Sequence, residues 1–133
     1  MDPKIWGASA WLFLHTITFN YPNNPSIEDK KNFHQFFDSL KYTIPCPLCK
    51  EHYKENLKKN PIKLNSKEEL IEWLFDIHNT VNESKGTKIY SHEDLYDIYY
   101  DIFKDKQSNN KDYLKYGLAV IVVILFLCLI KKM

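Results

Sequence analysis

Apolar residues recur at helical spacing through roughly the first hundred residues of this chain. In one stretch they fall three or four residues apart and so share a single face of a helix. These positions are Phe33, Phe36, Phe37, Leu40 and Ile44. No stretch alternates convincingly between apolar and polar residues, as a half-buried strand would. The pattern therefore predicts an all-α fold.

Capping and turn residues set the bounds of the first two predicted helices. Asp2-Pro3 supplies a cap and a first helical position, and the first helix is expected to reach about Asn20. A proline-rich turn over 21–25 follows. Ser26 with Asp29 then has the spacing of a capping box, which opens the second helix.

The fourth predicted helix has two different faces. It is expected to begin at a capping box of Ser66 with Glu69 and to stop at Gly86. Its apolar stripe consists of Leu70, Trp73, Leu74, Ile77 and Val81. The polar row beside it consists of His78, Asn79, Asn82 and Lys85. Such a row suits hydrogen bonding to a ligand, but the spacing alone leaves an ordinary solvated face equally open.

A short fifth helix is predicted from Ser91 onwards. Its inward-facing residues are expected to be Leu95, Ile98, Tyr99 and Ile102. A chain of 133 residues can bury one modest core. We therefore predict a single domain over 1–103, followed by a polar linker over 104–112.

The C-terminal part of the chain carries a long apolar run. From Tyr116 to Ile130 every residue is apolar or glycine apart from the Tyr116 hydroxyl, and lysines stand at both ends. The run is shorter than the ~20 residues of a usual membrane span, but flanking lysines can snorkel to the interface. A buried core helix is the alternative. We expect a transmembrane anchor over 113–131 and, because Met1 is not followed by a signal-peptide pattern, we expect the domain before the anchor to face the cytosol.

Composition narrows the class of partner. The formal net charge of +1 gives no indication of a nucleic-acid partner. The chain has 3 Trp, 9 Tyr and 8 Phe, which is more than a small helical bundle needs to fill its core. We therefore expect a flat ligand site lined by aromatic side chains.

Two of the three cysteines form a C-x-x-C motif flanked by prolines. Pro45 disfavours helix at the residue before it, whereas Pro47 fits the first turn of a helix. Cys46 is therefore predicted to be the N-cap of a third helix that passes through Cys49 and ends near Asn60. The positive end of the helix dipole favours a thiolate at Cys46. This arrangement indicates a dithiol that cycles with its disulfide.

Two other interpretations of the motif stay open. The cysteines could be small buried residues, or Cys46, Cys49 and His52 could bind zinc. A structural zinc site needs four ligands, and no second Cys or Cys/His pair exists outside the C-terminal apolar run. A thioredoxin-like site would need a βαβ context, which an all-helical chain does not offer.

Three further stretches complete a wider pattern. They are Trp6-Gly7-x3-Trp11-x3-His15-Thr16, Tyr21-Pro22 and Trp73-Leu74-x3-His78-Asn79-x-Val81-Asn82-x2-Lys85-x-x-Lys88-x-Tyr90. In this order, with Pro45-Cys46-x-x-Cys49 between the second and the third, the chain resembles the Erv/ALR flavin-linked sulfhydryl oxidases.

The resemblance implies a fold, a cofactor and roles for residues. It implies a four-helix bundle that clasps FAD, a short fifth helix and a homodimer. The residues that match positions near FAD are Gly7, Trp11, His15, Tyr21, His78, Asn79, Val81, Asn82, Lys85, Lys88, Tyr90 and Tyr99. Cys49 matches the cysteine nearest the isoalloxazine, and Cys46 the one that exchanges with substrate thiols. Electrons would pass from substrate thiols through this pair to FAD and then to O2, giving hydrogen peroxide.

The chain departs from many family members in three ways. It lacks a second, shuttle cysteine pair, so a dithiol protein or a small thiol carrier protein is expected to reach Cys46 directly. Lys58 and Phe75 stand where a structural disulfide would join the third and fourth helices, so ordinary packing must hold that corner. A minimal core with an anchor resembles the oxidases of large cytoplasmic DNA viruses, which implies a virion or virus-assembly membrane.

Two competing functions follow from the residues alone. The chain could be a membrane-tethered helical adaptor whose C-x-x-C is structural or binds zinc. It could also be an isomerase that shuffles disulfides without flavin. Neither protein would carry a yellow cofactor.

Overall fold

The computed structural model of this protein describes residues 1–100. Four helices form its first part: α1 (Pro3–Phe19), α2 (Ile27–Thr43), α3 (Pro47–Lys59) and α4 (Lys67–Ser84). Residues 92–100 are also helical and are called α5 here. No strand occurs within residues 1–100. The prediction of an all-α fold with four helices followed by a fifth is confirmed.

The chain divides into two compact units. The first runs from Met1 to Leu95 and contains α1 to α4, and the second begins at Tyr96. Within the first unit, α1 packs mainly against α4, and α2 packs mainly against α3. The candidate site described below lies wholly in this first unit.

The helix bounds follow from local capping. The box predicted at α2 is complete, because Ser26 Oγ accepts from Asp29 N and the Asp29 carboxylate accepts from Ser26 N. At α4 only half of the predicted box forms. Ser66 Oγ accepts from Glu69 N at 3.1 Å, but the Glu69 carboxylate accepts from Asn65 N at 3.3 Å, one residue earlier than expected.

The core of the first unit is built around α4. The predicted apolar stripe of this helix supplies its most buried side chains, and other helices add aromatic rings. The fully buried members include Tyr21, Phe37, Leu70, Trp73 and Leu74. The Phe37 and Trp73 rings meet edge to face with their centroids 5.1 Å apart, a favoured aromatic geometry.

Hydrogen bonds hold the corner between α3 and α4. The Trp73 indole donates from Nε1 to the carbonyl of Asn60, which caps the end of α3, at 3.0 Å. The Tyr21 hydroxyl donates to the carbonyl of Leu64 in the connecting loop at 2.9 Å. Lys58 is exposed on α3, whereas Phe75 is buried on α4. Two hydrogen-bond donors, the Trp73 indole and the Tyr21 hydroxyl, therefore hold the loop at this corner in addition to packing.

The C-terminal part of the described chain, in α5, corrects one expectation. Leu95 and Tyr99 are buried, as predicted, but Ile98 is 46% exposed, so the prediction that it faces inward is wrong. Positions 95 and 99 are four residues apart and share a helix face, and position 98 lies to one side of it. Within residues 1–100 no helix is long and apolar enough to cross a membrane. Ile102, the predicted linker over 104–112 and the predicted anchor over 113–131 lie outside the described residues.

Candidate functional site

A cavity of about 580 Å³ lies among the four helices of the first unit. Its volume falls within the range of roughly 300–1,000 Å³ that is typical of small-molecule and cofactor sites. From α1 it is lined by residues at helical spacing that include Trp6, Gly7, Ala10 and Trp11. The wall is mainly apolar and partly aromatic, which suits a flat organic ligand.

A disulfide between Cys46 and Cys49 forms part of the cavity wall. Cys46 is the N-cap of α3, as the flanking prolines predict, and its Sγ accepts from the Cys49 N–H at 3.2 Å. When the disulfide is reduced, this N–H and the positive end of the helix dipole both stabilise a thiolate on Cys46. The local fold therefore favours the thiolate form of Cys46.

The disulfide is accessible from outside the protein. Leu48, which lies between the two cysteines, is 65% exposed, and Pro45 and Pro47 are exposed as well. Both cysteines are themselves half-buried. One side of the disulfide thus faces the cavity region while its surroundings present an apolar surface to another molecule.

Two histidines stand behind the aromatic wall. The His78 ring stacks on Trp11, with 3.9 Å between centroids and an interplanar angle of 11°. His78 Nδ1 lies 3.1 Å from Nε2 of His15, which is fully buried, so one ring donates an N–H to the other. Neither histidine lines the cavity itself. The pair instead supports the position of the Trp11 ring.

Burial keeps this histidine pair neutral. The pKa of His15 is lowered to about 3, mainly by burial and secondly by the neighbouring His78. Burial also lowers the pKa of His78 to about 4, with the positive charge of Lys85 as the second cause. Both imidazoles are therefore uncharged at pH 7. This agrees with the hydrogen bond between them, because the ring that accepts it must be neutral.

The polar row of α4 is divided between two tasks. Lys85, the C-cap of the helix, lines the cavity. The Asn79 amide instead donates to the Tyr90 carbonyl at 2.7 Å and accepts from the Tyr90 N–H at 3.1 Å. The Asn82 side-chain amide oxygen accepts from the Thr87 hydroxyl at 3.3 Å, and the backbone carbonyl of Asn82 accepts from the same hydroxyl at 3.1 Å. These two asparagines therefore fasten the segment that follows α4.

The remaining candidates lie away from the cavity wall. Tyr21 is in the core, and its hydroxyl is bonded to Leu64. Lys88 Nζ lies 4.5 Å from the centroid of the Tyr90 ring, within cation–π distance. Tyr99 belongs to the second compact unit. For these residues, contact with a cofactor stays a prediction.

A metal site finds no support in this part of the chain. Within residues 1–100 no group of three His, Cys, Asp or Glu side chains is placed to hold a metal ion together. Cys46, Cys49 and His52 all line the cavity, yet they do not form such a group. Cys46 and Cys49 are instead joined in a disulfide, whereas a zinc site would need both of them as free thiolates.

Comparison with known protein families identifies the family of the chain. The model of the Erv1 / Alr family matches residues 8–101. The chain belongs to the Erv1/Alr family.

Individual Erv1/Alr proteins and structures resemble it over much of its length. It is 41% identical over 92 residues to the "Probable FAD-linked sulfhydryl oxidase R368" of Acanthamoeba polyphaga mimivirus, covering 67% of this chain and 64% of that protein. It is 32% identical over 94 residues to an African swine fever virus "FAD-linked sulfhydryl oxidase", covering 71% of this chain and 79% of that protein. The crystal structure of the FAD binding domain of Erv1 from Saccharomyces cerevisiae superposes with a TM-score of 0.72 at 27% identity, covering 76% of this chain and 96% of that one. The chain spans slightly less than two thirds of the length of its mimivirus relative.

The structure brings only some of the sequence candidates to the cavity. Those on its wall are Gly7, Trp11, Cys46, Cys49, Val81 and Lys85. Among the other residues on the wall are Trp6 and His52, neither of which was among the residues predicted to contact FAD. Helical spacing could have found His52, which stands three residues after Cys49, and the signal for Trp6 was its place directly before Gly7 in the Trp6-Gly7-x3-Trp11 pattern. The Erv1/Alr match begins at residue 8, so Trp6 lies outside it.

Proposed function

We propose that this Erv1/Alr protein is an FAD-linked sulfhydryl oxidase that forms disulfide bonds in protein substrates, with O2 as the final electron acceptor. The observation that carries the proposal is the Cys46–Cys49 disulfide in the wall of a cavity of about 580 Å³. The names of its viral relatives, which describe FAD-linked sulfhydryl oxidases, support it.

The cavity residues fit FAD in shape and in chemistry. Gly7 leaves room for close approach, because a methyl group placed on it would meet no atom within 4 Å. Trp11 presents an aromatic ring, and Lys85 supplies a positive charge suited to a phosphate. The indole Nε1 of Trp6 is buried without a hydrogen-bond partner among residues 1–100. Apolar walls with a few polar groups are what a dinucleotide cofactor requires.

We assign the other predicted FAD residues to support or contact around this wall. His15 and His78 position Trp11, while Asn79 and Asn82 hold the segment that carries Lys88 and Tyr90. Tyr21 and Tyr99 are retained as proposed contacts from the family resemblance. Bound FAD would supply the two-electron acceptor for the reduced cysteine pair and the group that O2 reoxidises, with formation of hydrogen peroxide.

The protein's own chemistry is thiol–disulfide exchange at Cys46. A substrate thiolate attacks Cys46 Sγ, a mixed disulfide forms, and Cys49 leaves as a thiolate. The second substrate thiolate then attacks the substrate sulfur of the mixed disulfide, and Cys46 leaves as a thiolate. The Cys49 N–H and the α3 dipole stabilise this leaving group. The substrate is oxidised by two electrons, the cysteine pair is reduced by two, and two protons are released.

A visible absorbance spectrum of the purified chain tests the proposal. We expect oxidised flavin bands that bleach when dithiothreitol is added without air and return when air is admitted. Folded protein without flavin bands, even after incubation with FAD, would contradict the proposal and favour the adaptor or the isomerase.

The proposed substrate is a dithiol protein or a small thiol carrier protein that docks at the disulfide. Leu48 and the flanking prolines offer it an exposed apolar surface. In a Cys49→Ser variant the Cys46 thiolate can attack a partner that is already in its disulfide form, so that one partner sulfur bonds to Cys46 and the other leaves as a thiolate. Because Cys49 is no longer present to release the partner, this mixed disulfide should accumulate on Cys46, where mass spectrometry would identify it. No mixed disulfide on Cys46 after incubation with oxidised partner would contradict direct exchange at Cys46.

We further propose that the chain forms a homodimer through α1. This helix exposes apolar side chains on its outer surface: Ile5 is 77% exposed, Leu12 42% and Phe13 59%. Such a row favours contact with another apolar surface. A double variant, Ile5→Glu with Leu12→Glu, should shift the molar mass measured by light scattering from dimer to monomer. Unchanged mass would place any dimer contact elsewhere.

We also propose that residues 113–131 anchor the protein with its catalytic domain in the cytosol, on a virion or virus-assembly membrane. The apolar run and the viral origin of two relatives support this proposal. Carbonate extraction should leave the full chain in the membrane fraction and release a chain that ends at residue 112. Immunogold labelling away from any assembly membrane would contradict the viral location.

A further inference from the structure

Trp6 carries a polar group that the described protein leaves unpaired. Its indole Nε1 is buried and has no hydrogen-bond partner among residues 1–100. Trp73, by contrast, donates its Nε1–H to the Asn60 carbonyl at 3.0 Å. A buried donor without a partner loses its hydrogen bonds to water and gains none in return, so native proteins rarely leave one unpaired. The bare donor therefore indicates a partner that is not part of residues 1–100.

The location of Trp6 indicates what that partner is. Trp6 lines the same cavity as the disulfide. The start of α1 is held beside the disulfide, because the amino group of Met1 donates to the carbonyl of Pro45, next to Cys46, at 3.1 Å. Leu14, which also lines the cavity, stands eight residues further on, about 12 Å along the helix. Trp6 thus belongs to the disulfide end of the cavity.

The disulfide end is where a redox-active ring must lie if it is to exchange electrons with Cys49. Isoalloxazine carries carbonyl oxygens and ring nitrogens that accept hydrogen bonds, whereas the Trp indole can only donate one. No other buried side-chain donor on the described cavity wall lacks a protein partner. The Trp6 indole, which can only donate, therefore matches the hydrogen-bond acceptors along the edge of the isoalloxazine ring.

We propose that the Trp6 Nε1–H donates a hydrogen bond to an acceptor on the isoalloxazine ring of FAD, and so both binds the ring and tunes it. The inference rests on the proposed function. It assigns a cofactor contact to a residue outside the Erv1/Alr match at 8–101. A donor at the ring favours its electron-rich reduced form, so the bond should raise the reduction potential.

The test compares Trp6→Phe with Trp73→Phe in the full chain. Both variants keep an aromatic ring and lose one N–H, but only Trp6 lines the cavity. Trp6→Phe should weaken FAD binding by about 3- to 10-fold, measured by fluorescence titration of the cofactor-free protein. It should also shift the visible flavin bands and lower the midpoint potential. Trp73→Phe should lower thermal stability and leave affinity and spectrum unchanged.

Nitrogen NMR on the unsubstituted protein covers the case in which Trp6→Phe does not fold. The chain has 3 Trp, so its indole N–H signals are few enough to assign individually. On addition of FAD, the Trp6 signal should move and its exchange with solvent should slow. Equal FAD affinity and spectra for wild type and Trp6→Phe, or an unmoved Trp6 signal in the FAD-bound protein, would overturn the inference alone. Failure of the unsubstituted protein to bind FAD would overturn the proposed function itself.

Discussion

The two ends of α3 are held in opposite ways. At its C-terminal end, the Asn60 carbonyl accepts from the buried Trp73 indole. One turn after the disulfide, the buried Tyr53 hydroxyl donates to the Phe37 carbonyl at 3.0 Å, and burial raises its pKa so that it keeps its proton. At the N-terminal end the cap is a cysteine sulfur, and the neighbouring Leu48 is 65% exposed.

This contrast separates stability from chemistry within one short helix. Neutral hydrogen bonds to backbone carbonyls fix the position of α3, and breaking and remaking the disulfide disturbs none of them. Cys46, the sulfur that we propose exchanges with substrate, occupies the end where a partner can reach it and where the helix dipole favours its thiolate. Changes at one end should therefore remove activity without unfolding the protein, and changes at the other should do the reverse.

The largest effect is expected at the reactive end. Cys46→Ser and Cys49→Ser should each reduce oxygen consumption with a dithiol substrate to background, because neither leaves a disulfide to accept electrons. Both variants should stay folded, and Cys49→Ser should retain FAD that dithiols no longer reduce. Cys128→Ser, outside the described residues, is the matched control and should keep full activity. Full oxygen consumption by either single variant would show that the relay is wrong.

A fall in pH should instead lower the stability of the protein through its two buried histidines, His15 and His78. Folding lowers the pKa of His15 to about 3 and of His78 to about 4, from an ordinary value of 6.5. Between pH 6.5 and these values the unfolded chain binds more protons than the folded one, so stability falls as the pH falls. Above pH 6.5 both states are neutral and the effect disappears.

Urea unfolding at pH 7, 5.5 and 4.5 measures this loss. His78→Gln should flatten the profile, because one buried imidazole no longer resists protonation. His34→Gln, at an exposed position of α2, should leave the profile unchanged. Stability that stays constant down to pH 4.5 would mean that the histidine pair is protonated, or exposed, in the folded protein.

A smaller effect is expected from the C-terminal end of α3. Trp73→Phe should reduce the free energy of unfolding by about 1–3 kcal/mol, because the Asn60 carbonyl loses its donor. Turnover per FAD-loaded molecule should not change. Lys58→Ala, at an exposed position of the same helix, should stay within about 0.5 kcal/mol of the parent. A loss of turnover in folded Trp73→Phe would break the separation between the two ends.

Local chemistry made part of this arrangement predictable. The prolines around Cys46 allow only a narrow range of backbone shapes, so its place as N-cap followed from the sequence. The hydrogen-bond partners of polar side chains, by contrast, could not be predicted from the sequence. An Asn amide can bond a ligand or a backbone equally well, and Asn79 takes Tyr90, eleven residues away, which depends on how the chain returns after α4. The unpaired Trp6 donor likewise depends on three-dimensional burial, which residue type does not specify.

The smallest expected effect distinguishes the empty protein from the FAD-bound one. Gly7 lies inside α1, where alanine is favoured over glycine by roughly 0.5–1 kcal/mol. Apart from its chain neighbours and the nearby backbone of α1, an added methyl group would meet no atom of the described protein within 4 Å. Gly7→Ala should therefore stabilise the cofactor-free protein by about that amount. If FAD approaches the helix closely at this point, the same methyl group should weaken FAD binding. Ser9→Ala, at an exposed position of the same helix, should change FAD affinity in neither direction. Calorimetric unfolding with and without FAD measures both effects, and Gly7→Ala protein that gains the same stability in both states would show that the cofactor does not lie against Gly7.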